Sequence, residues 1–120
     1  MKLLNEDQEQ RMRANGVANA ARRARGAETE DFFPVVKLFC PWGEAIWLLS
    51  ELDPEDPDVA FGLCDLGMGS PELGIVRISE LEAIRGPAPW IRIEGDPEFT
   101  PNKTLAAYAD EARRAGCIQA

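Results

Sequence analysis

Carboxylates are the side chains most able to do chemistry in this sequence, and five of them fall within one short segment. The segment ELDPEDPD, residues 51–58, contains Glu51, Asp53, Glu55, Asp56 and Asp58. Clustered carboxylates can bind Ca²⁺ or Mg²⁺. An EF-hand calcium loop needs glycine at its sixth position and glutamate at its twelfth, but counting from Asp53 these positions hold Asp58 and Cys64. We therefore interpret the segment as a proline-stiffened acidic loop that holds no metal ion.

The pair Cys64–Asp65 is a second candidate, as a nucleophile beside a base. Neighbours on a strand point to opposite faces, so the two side chains cannot meet unless the strand bulges. The sequence contains no histidine, which excludes Ser-His-Asp and Cys-His catalysis and every metal site that uses histidine. We expect Cys64 to pack in the core and Asp65 to hydrogen-bond the turn that follows it.

The turn LGMGSPELG, residues 66–74, raises the question of a phosphate-binding loop. Such a loop needs further glycines, a lysine and the start of a helix after it. Here the chain continues with Ser70-Pro71-Glu72 and a strand pattern. The sequence therefore predicts no nucleotide site, and we assign no cofactor. The three cysteines are far apart and form no CxxC motif, so neither a disulfide framework nor a zinc cluster is indicated.

The charge distribution favours a protein partner over nucleic acid. The formal net charge is −8. Residues 1–26 contain six bases and three acids, whereas residues 27–120 contain seven bases and eighteen acids. An acidic body repels phosphates, so we expect a protein partner with a basic surface and no direct nucleic-acid binding. The longest apolar run, residues 45–49, is far too short to span a membrane. The leucines near the start are too few for a signal peptide, and we expect a cytoplasmic protein.

The secondary-structure pattern predicts one α+β domain over residues 1–120. A helical N-terminal segment (1–26) starts with a capping box at Asn5, and Asn15-Gly16 is a stop signal within it. Strand patterns then fill a sheet core at 34–94, interrupted by a short helix with a capping box at Ser79. The strands cover 35–40, 45–52, 59–66, 73–78 and 90–94, and a C-terminal helix covers 104–116. The short links favour hairpins. We therefore expect a mostly antiparallel sheet of about five strands with helices on one face.

Two tryptophans are candidate contact residues. Trp42 lies at the tip of a predicted turn, and Trp90 follows Pro89. An exposed tryptophan beside an acidic loop can anchor a protein partner. A rim position covering the edge of the core is the alternative for both.

Residues 37–86, KLFCPWGEAIWLLSELDPEDPDVAFGLCDLGMGSPELGIVRISELEAIRG, resemble the core of a small uncharacterised bacterial family, a domain of unknown function. The N-terminal LLN…ANG segment and the C-terminal LAAYADEARRAG helix extend the resemblance over most of the chain. The resemblance implies an origin on conjugative plasmids and other mobile elements, with accessory roles that include counter-defence. It brings no catalytic residues.

These observations lead to one functional expectation and two alternatives. We expect a non-enzymatic acidic binding protein of mobile-element origin that inhibits a host defence system, anti-CRISPR or antirestriction, through protein contact. The residues expected to contact the basic partner are the carboxylates of the acidic segment, Glu51, Asp53, Glu55, Asp56 and Asp58. The first alternative is a small enzyme that uses the 51–58 carboxylates and Asp65 with a divalent ion. The second is an interaction module that forms a homodimer through a sheet edge such as residues 90–94.

Overall fold

The computed structural model describes residues 2–120, so Met1 of the predicted N-terminal segment lies outside the described residues. The elements in chain order are α1 (Glu6–Ala24), β1 (Val36–Phe39), β2 (Ile46–Asp53), β3 (Asp56–Asp65), β4 (Glu72–Arg77), α2 (Ile78–Ala83), β5 (Glu94–Gly95) and α3 (Leu105–Ala115). The five strands form one sheet in the order β4-β3-β2-β1-β5, and every neighbouring pair is antiparallel. The predicted α+β fold is confirmed.

The central strand β2 is buried on both faces of the sheet. Trp47 and Leu49 belong to a core that includes Met12 of α1 and residues of α2. Leu48, which points the opposite way, belongs to a second core formed with α3. The expectation that all helices lie on one face is therefore wrong. We call the two faces of the sheet the α1 face and the α3 face.

The helix α1 does not stop at Asn15-Gly16 as the sequence suggested. Asn15 Nδ2 donates to the carbonyl of Ser50 at 2.9 Å. A Cβ atom at Gly16 would overlap the carbonyl oxygen of Leu52. The two residues are therefore a contact point between α1 and β2 and not a helix end. The capping box at Asn5 and the cap of α3 at Thr104 are confirmed.

The capping box predicted at Ser79 is absent, because a distant carboxylate takes its place. Arg77 is the N-cap residue of α2 and makes no side-chain cap bond. The Ser79 N–H and hydroxyl instead donate to the Asp58 carboxylate at 2.9 and 2.7 Å. Asp58 therefore stabilises the start of α2 from the neighbouring strand β3.

The predicted last strand at 90–94 is also wrong in its bounds. Arg92 forms only an isolated bridge with Arg85, and the strand proper is Glu94–Gly95. Between Arg85 and Arg92, the Ile91 N–H donates to the Ala88 carbonyl in a turn. This turn, which contains Pro89 and Trp90, takes up the start of the predicted strand.

The expected role of Asp65 is confirmed and extended. Its side chain is only 1% exposed. One carboxylate oxygen accepts a hydrogen bond from the Gly67 N–H at 2.8 Å. The other accepts from the Ile118 N–H at 2.9 Å, beyond the end of α3.

None of the described helices is long and apolar enough to cross a membrane.

Replacing Gly16 with alanine tests the contact between α1 and β2. In a free helix this change stabilises by about 1 kcal/mol. Here the new methyl group meets the Leu52 carbonyl, and overpacking of this kind costs about 1–3 kcal/mol. We expect a net loss of unfolding free energy, measured by urea denaturation. Val17→Ala, on the exposed side of α1, is the control and should change stability by less than about 0.5 kcal/mol. A stabilised Gly16→Ala variant would contradict the packing.

Candidate functional site

The acidic segment 51–58 forms a β-hairpin and not the unpaired loop that the sequence suggested. β2 ends at Asp53, β3 begins at Asp56, and these two residues are register partners. The turn between them is stabilised by the Asp53 carboxylate, which accepts a hydrogen bond from the Glu55 N–H at 2.9 Å. Pro54 is compatible with this arrangement because it lies in the turn. Pro57 lies in β3 at the register shift between Leu52 and Asp53, where it has no register partner in β2 or β4.

Asp56 and Asp58 are engaged inside the fold. Arg77 lies 3.0 Å from an Asp56 carboxylate oxygen and 3.5 Å from one of Asp58. The hydrogen bonds from Ser79, together with Arg77, lower the pKa of Asp58 below its ordinary value. Asp56 in turn raises the pKa of Arg77. A single guanidinium thus serves both carboxylates, and Ser79 also holds Asp58, so both side chains are tied to the fold and are less available to a partner.

Glu51 is a buried carboxylate, with 7% of its surface exposed. Asn19 Nδ2 donates to it at 2.8 Å, and the Arg23 guanidinium lies 3.6 Å away. Burial raises the pKa of Glu51 above its ordinary value, and the contacts with Asn19 and Arg23 oppose that shift only in part. Asn19 also bonds both main-chain groups of Glu30, so this cluster connects α1, β2 and the segment that leads into β1.

A groove opens on the α3 face beside this cluster. It has a volume of about 500 Å³. Its apolar floor is made by Val59, Phe61 and Ile75 of β3 and β4. Ile75 is 70% exposed, which is unusual for an isoleucine on a strand. The walls come from α1 and from the β2–β3 turn.

A second hollow of about 360 Å³ continues the groove toward α3. The two hollows share Arg23, Glu51 and Phe61. The second one adds the apolar side chains of Leu73 and Leu105. We call the combined surface the acidic groove.

The charge of the acidic groove is strongly negative. Its charged lining residues are one cation, Arg23, and five carboxylates: Glu30, Asp31, Glu51, Asp53 and Glu55. Glu30 pairs with Arg22, and Glu51 with Arg23. Within residues 2–120, the salt bridges of the segment 51–58 involve Glu51, Asp56 and Asp58 only. Of the five groove carboxylates, Asp31, Asp53 and Glu55 make no salt bridge within the described residues, and Asp31 accepts a hydrogen bond from the Ala106 N–H. Asp53 and Glu55, both exposed, are the uncompensated charges at the groove mouth.

The structure separates the two tryptophans from the acidic segment. Trp42 lies in the β1–β2 turn, whereas the acidic turn lies at the other end of β2. An eight-residue strand places these ends roughly 25 Å apart. The Trp42 ring lies close to Gly86, as does the side chain of Ile91, and Trp90 lies in the same segment of the chain. Trp90 is 79% exposed and makes no part of the acidic groove.

The described residues contain no group of three or more side chains of the kind that could hold a metal ion. Cys40, Cys64 and Cys117 are free thiols in residues 2–120. Burial raises the pKa of Cys64 above its ordinary value, and this favours the unreactive thiol over the thiolate.

The apolar residues on the floor of the groove were not predicted from the sequence as part of a binding site. Phe61, Leu73 and Ile75 read as ordinary strand residues, because a strand pattern does not reveal that β4 lies at the sheet edge. One signal was present: Ile75 and Arg77 fall on the same face of β4. A charged residue on that face indicates contact with solvent, and Ile75 is therefore exposed with it.

Glu51→Gln tests the buried carboxylate. Because the pKa of Glu51 is raised in the folded protein, the folded state binds the proton more tightly than the unfolded state. The stability that Glu51 contributes is therefore present at low pH and is lost as the pH rises above its ordinary value of 4.5. We expect Glu51→Gln to gain stability relative to the parent protein between pH 4.5 and 7, measured by urea denaturation. Glu55→Gln, on the exposed turn, is the control for the loss of a carboxylate. A pH-independent difference for Glu51→Gln would contradict this assignment.

The chain matches one family model over nearly its whole length. Residues 3–119 match the family described as protein of unknown function (DUF2958). The chain therefore belongs to this family, and the resemblance to a domain of unknown function is confirmed. No curated protein and no solved structure matches the chain.

Proposed function

We propose that this protein is a binding protein whose acidic groove holds a segment of a partner protein that carries both basic and apolar side chains. The observation that supports this most directly is the position of Ile75, which is 70% exposed on the groove floor beside the uncompensated carboxylates of Asp53 and Glu55. Apolar floors with charged rims are typical of protein-binding surfaces.

The two parts of the groove supply different contributions to binding. The apolar floor of Val59, Phe61 and Ile75 gives a partner an apolar surface to cover, and burial of such surface is the main source of affinity. The carboxylates at the mouth attract a basic segment from a distance and reject an acidic one. This charge pattern favours a basic protein segment, as the sequence composition suggested, and disfavours direct contact with nucleic acid.

The carboxylates that serve this function are a subset of those in the segment 51–58. Asp53 and Glu55 face the partner. Asp56 and Asp58 are occupied by Arg77 and Ser79, so neutralising them would disturb the fold as well as any binding. Tests of the groove should therefore change Asp53 and Glu55 together.

The biological setting follows from the resemblance described above and is part of the proposal. We propose that the protein acts in the cytoplasm, in the context of mobile elements. There the acidic groove would occupy a basic segment of a host defence complex. Its net charge of −8 is in keeping with such a role, since basic channels that hold nucleic acid also attract acidic proteins.

The groove can be tested with two synthetic peptides of identical composition, each with six lysines and six leucines. In one the residues alternate as in a strand, and in the other they follow the spacing of an amphipathic helix. We expect at least one peptide to bind, measured by fluorescence anisotropy. The double variant Asp53→Asn/Glu55→Gln should bind roughly 3- to 10-fold more weakly, with a shallower dependence on salt.

The matched control for that variant neutralises two carboxylates at the other side of the sheet. Glu94→Gln/Glu98→Gln removes the same charge from exposed positions in and just after β5, the strand at the edge opposite β4. It should leave peptide affinity nearly unchanged. Equal weakening by both double variants would reduce the effect to net charge alone and refute the groove.

A further inference from the structure

The strand β4 is an open edge of the sheet. It pairs with β3 on one side and has no strand on the other among residues 2–120. Natural edge strands are normally protected by prolines, lysines, bulges or short length. β4 is six residues long, and its sequence ELGIVR contains neither proline nor lysine. Its register with β3 is continuous from Glu72 to Arg77, with no bulge.

The side of each strand to which a residue's main-chain N–H and C=O groups point can be followed from β1 across the sheet to β4. The Cys40 N–H donates to the Ala45 carbonyl at 3.0 Å, and the Asp96 N–H donates to the Lys37 carbonyl at 2.9 Å. Main-chain groups of successive residues point to alternate sides of a strand. Even-numbered residues of β1 therefore face β2, and odd-numbered residues of β2 face β1. Leu48, which is even-numbered, faces β3.

The same alternation carries through to β4. Leu48 is the register partner of Leu63, so Leu63 bonds to β2 and its neighbour Gly62 faces β4. Gly62 is in turn the partner of Gly74, so Gly74 bonds to β3. The residues of β4 whose main-chain N–H groups point away from the sheet are therefore Leu73, Ile75 and Arg77. The carbonyls of Leu73 and Ile75 point the same way, whereas that of Arg77, the N-cap residue, accepts the first hydrogen bond of α2.

Two of these three outward-facing residues also carry side chains of the groove. Leu73 and Ile75 line it together with Phe61, and Arg77 lies on the same face. In an antiparallel pair, directly opposite side chains point to the same face. A strand added beside β4 would therefore place every second side chain against Ile75 and Leu73, at the open side of the acidic groove.

We infer that the partner segment binds in an extended conformation, as an added strand on β4 that bonds to the main chain of Leu73, Ile75 and Arg77. This inference rests on the proposed function and names the form in which the partner is recognised. Charge selects the occupant. A second copy of this chain brings another −8 to an edge bordered by Glu72 and by the groove carboxylates, whereas a basic segment is attracted. Strand addition is an established mode of peptide recognition.

Amide hydrogen exchange with the alternating lysine–leucine peptide tests the inference on the unmodified protein. In the free protein the outward-facing amides should exchange rapidly. On addition of the peptide, exchange at Leu73, Ile75 and Arg77 should slow by roughly tenfold or more. The alternating peptide should also bind more tightly than the helical peptide of the same composition.

A pair of variants at one position separates the main chain from the side chain. Ile75→Ala removes the apolar side chain and keeps the outward N–H. Ile75→Pro removes both, and an edge strand tolerates proline where the N–H faces solvent. We expect the proline variant to bind the alternating peptide roughly 3- to 10-fold more weakly than the alanine variant, with similar melting temperatures for the two.

The outcomes distinguish this inference from the function on which it rests. Equal binding of both peptides with unprotected amides would overturn strand addition and leave the groove as a binding site. No binding of either peptide would overturn both. Sedimentation that shows a concentration-dependent dimer, with the same amides already protected, would assign the edge to a second copy and overturn the inference.

Discussion

The second half of β2 has no strand on the side of β1, and its main-chain groups must be satisfied by another element. β1 follows β2 only as far as the pair Val36–Leu49. Beyond that point the Ser50 carbonyl accepts from Asn15, and Gly16 lies against the carbonyl of Leu52. Unpaired main-chain groups are costly when buried, so α1 is held along this edge. Its later residues Ala20 and Arg23 then form a wall of the groove. The groove therefore depends on β1 being shorter than β2.

The acidic segment shows how one run of like charges divides between folding and function. Glu51 is buried and held by Asn19, and Asp56 and Asp58 hold the start of α2 and Arg77 in place. Only the two carboxylates nearest the turn face solvent without a cation. Three of the five carboxylates of the segment 51–58 therefore hold other parts of the fold, and the other two, Asp53 and Glu55, lie at one end of the groove.

Local signals predicted local structure well, and distant contacts account for most of the errors. The caps at Asn5 and Thr104 and the turn at Asp65 were predictable because each depends on residues two or three positions away. The presence of α2 was predicted, but its cap was not, because Asp58 lies 21 residues from Ser79. The position of β4 at the edge depends on the order of all five strands. No periodicity in the sequence encodes that order, and for this reason the candidate site was located only in part.

The two hydrogen bonds of Asp65 give the protein a mechanical coupling. One oxygen holds the turn between β3 and β4, and the other holds the chain after α3. If either segment moves away from Asp65, its buried carboxylate loses one of two hydrogen-bond donors. The free-energy cost of that loss also destabilises the contact of Asp65 with the other segment. Opening of the turn beside the open edge and opening of the C-terminal segment are therefore energetically coupled through Asp65, although 53 residues separate Asp65 from Ile118.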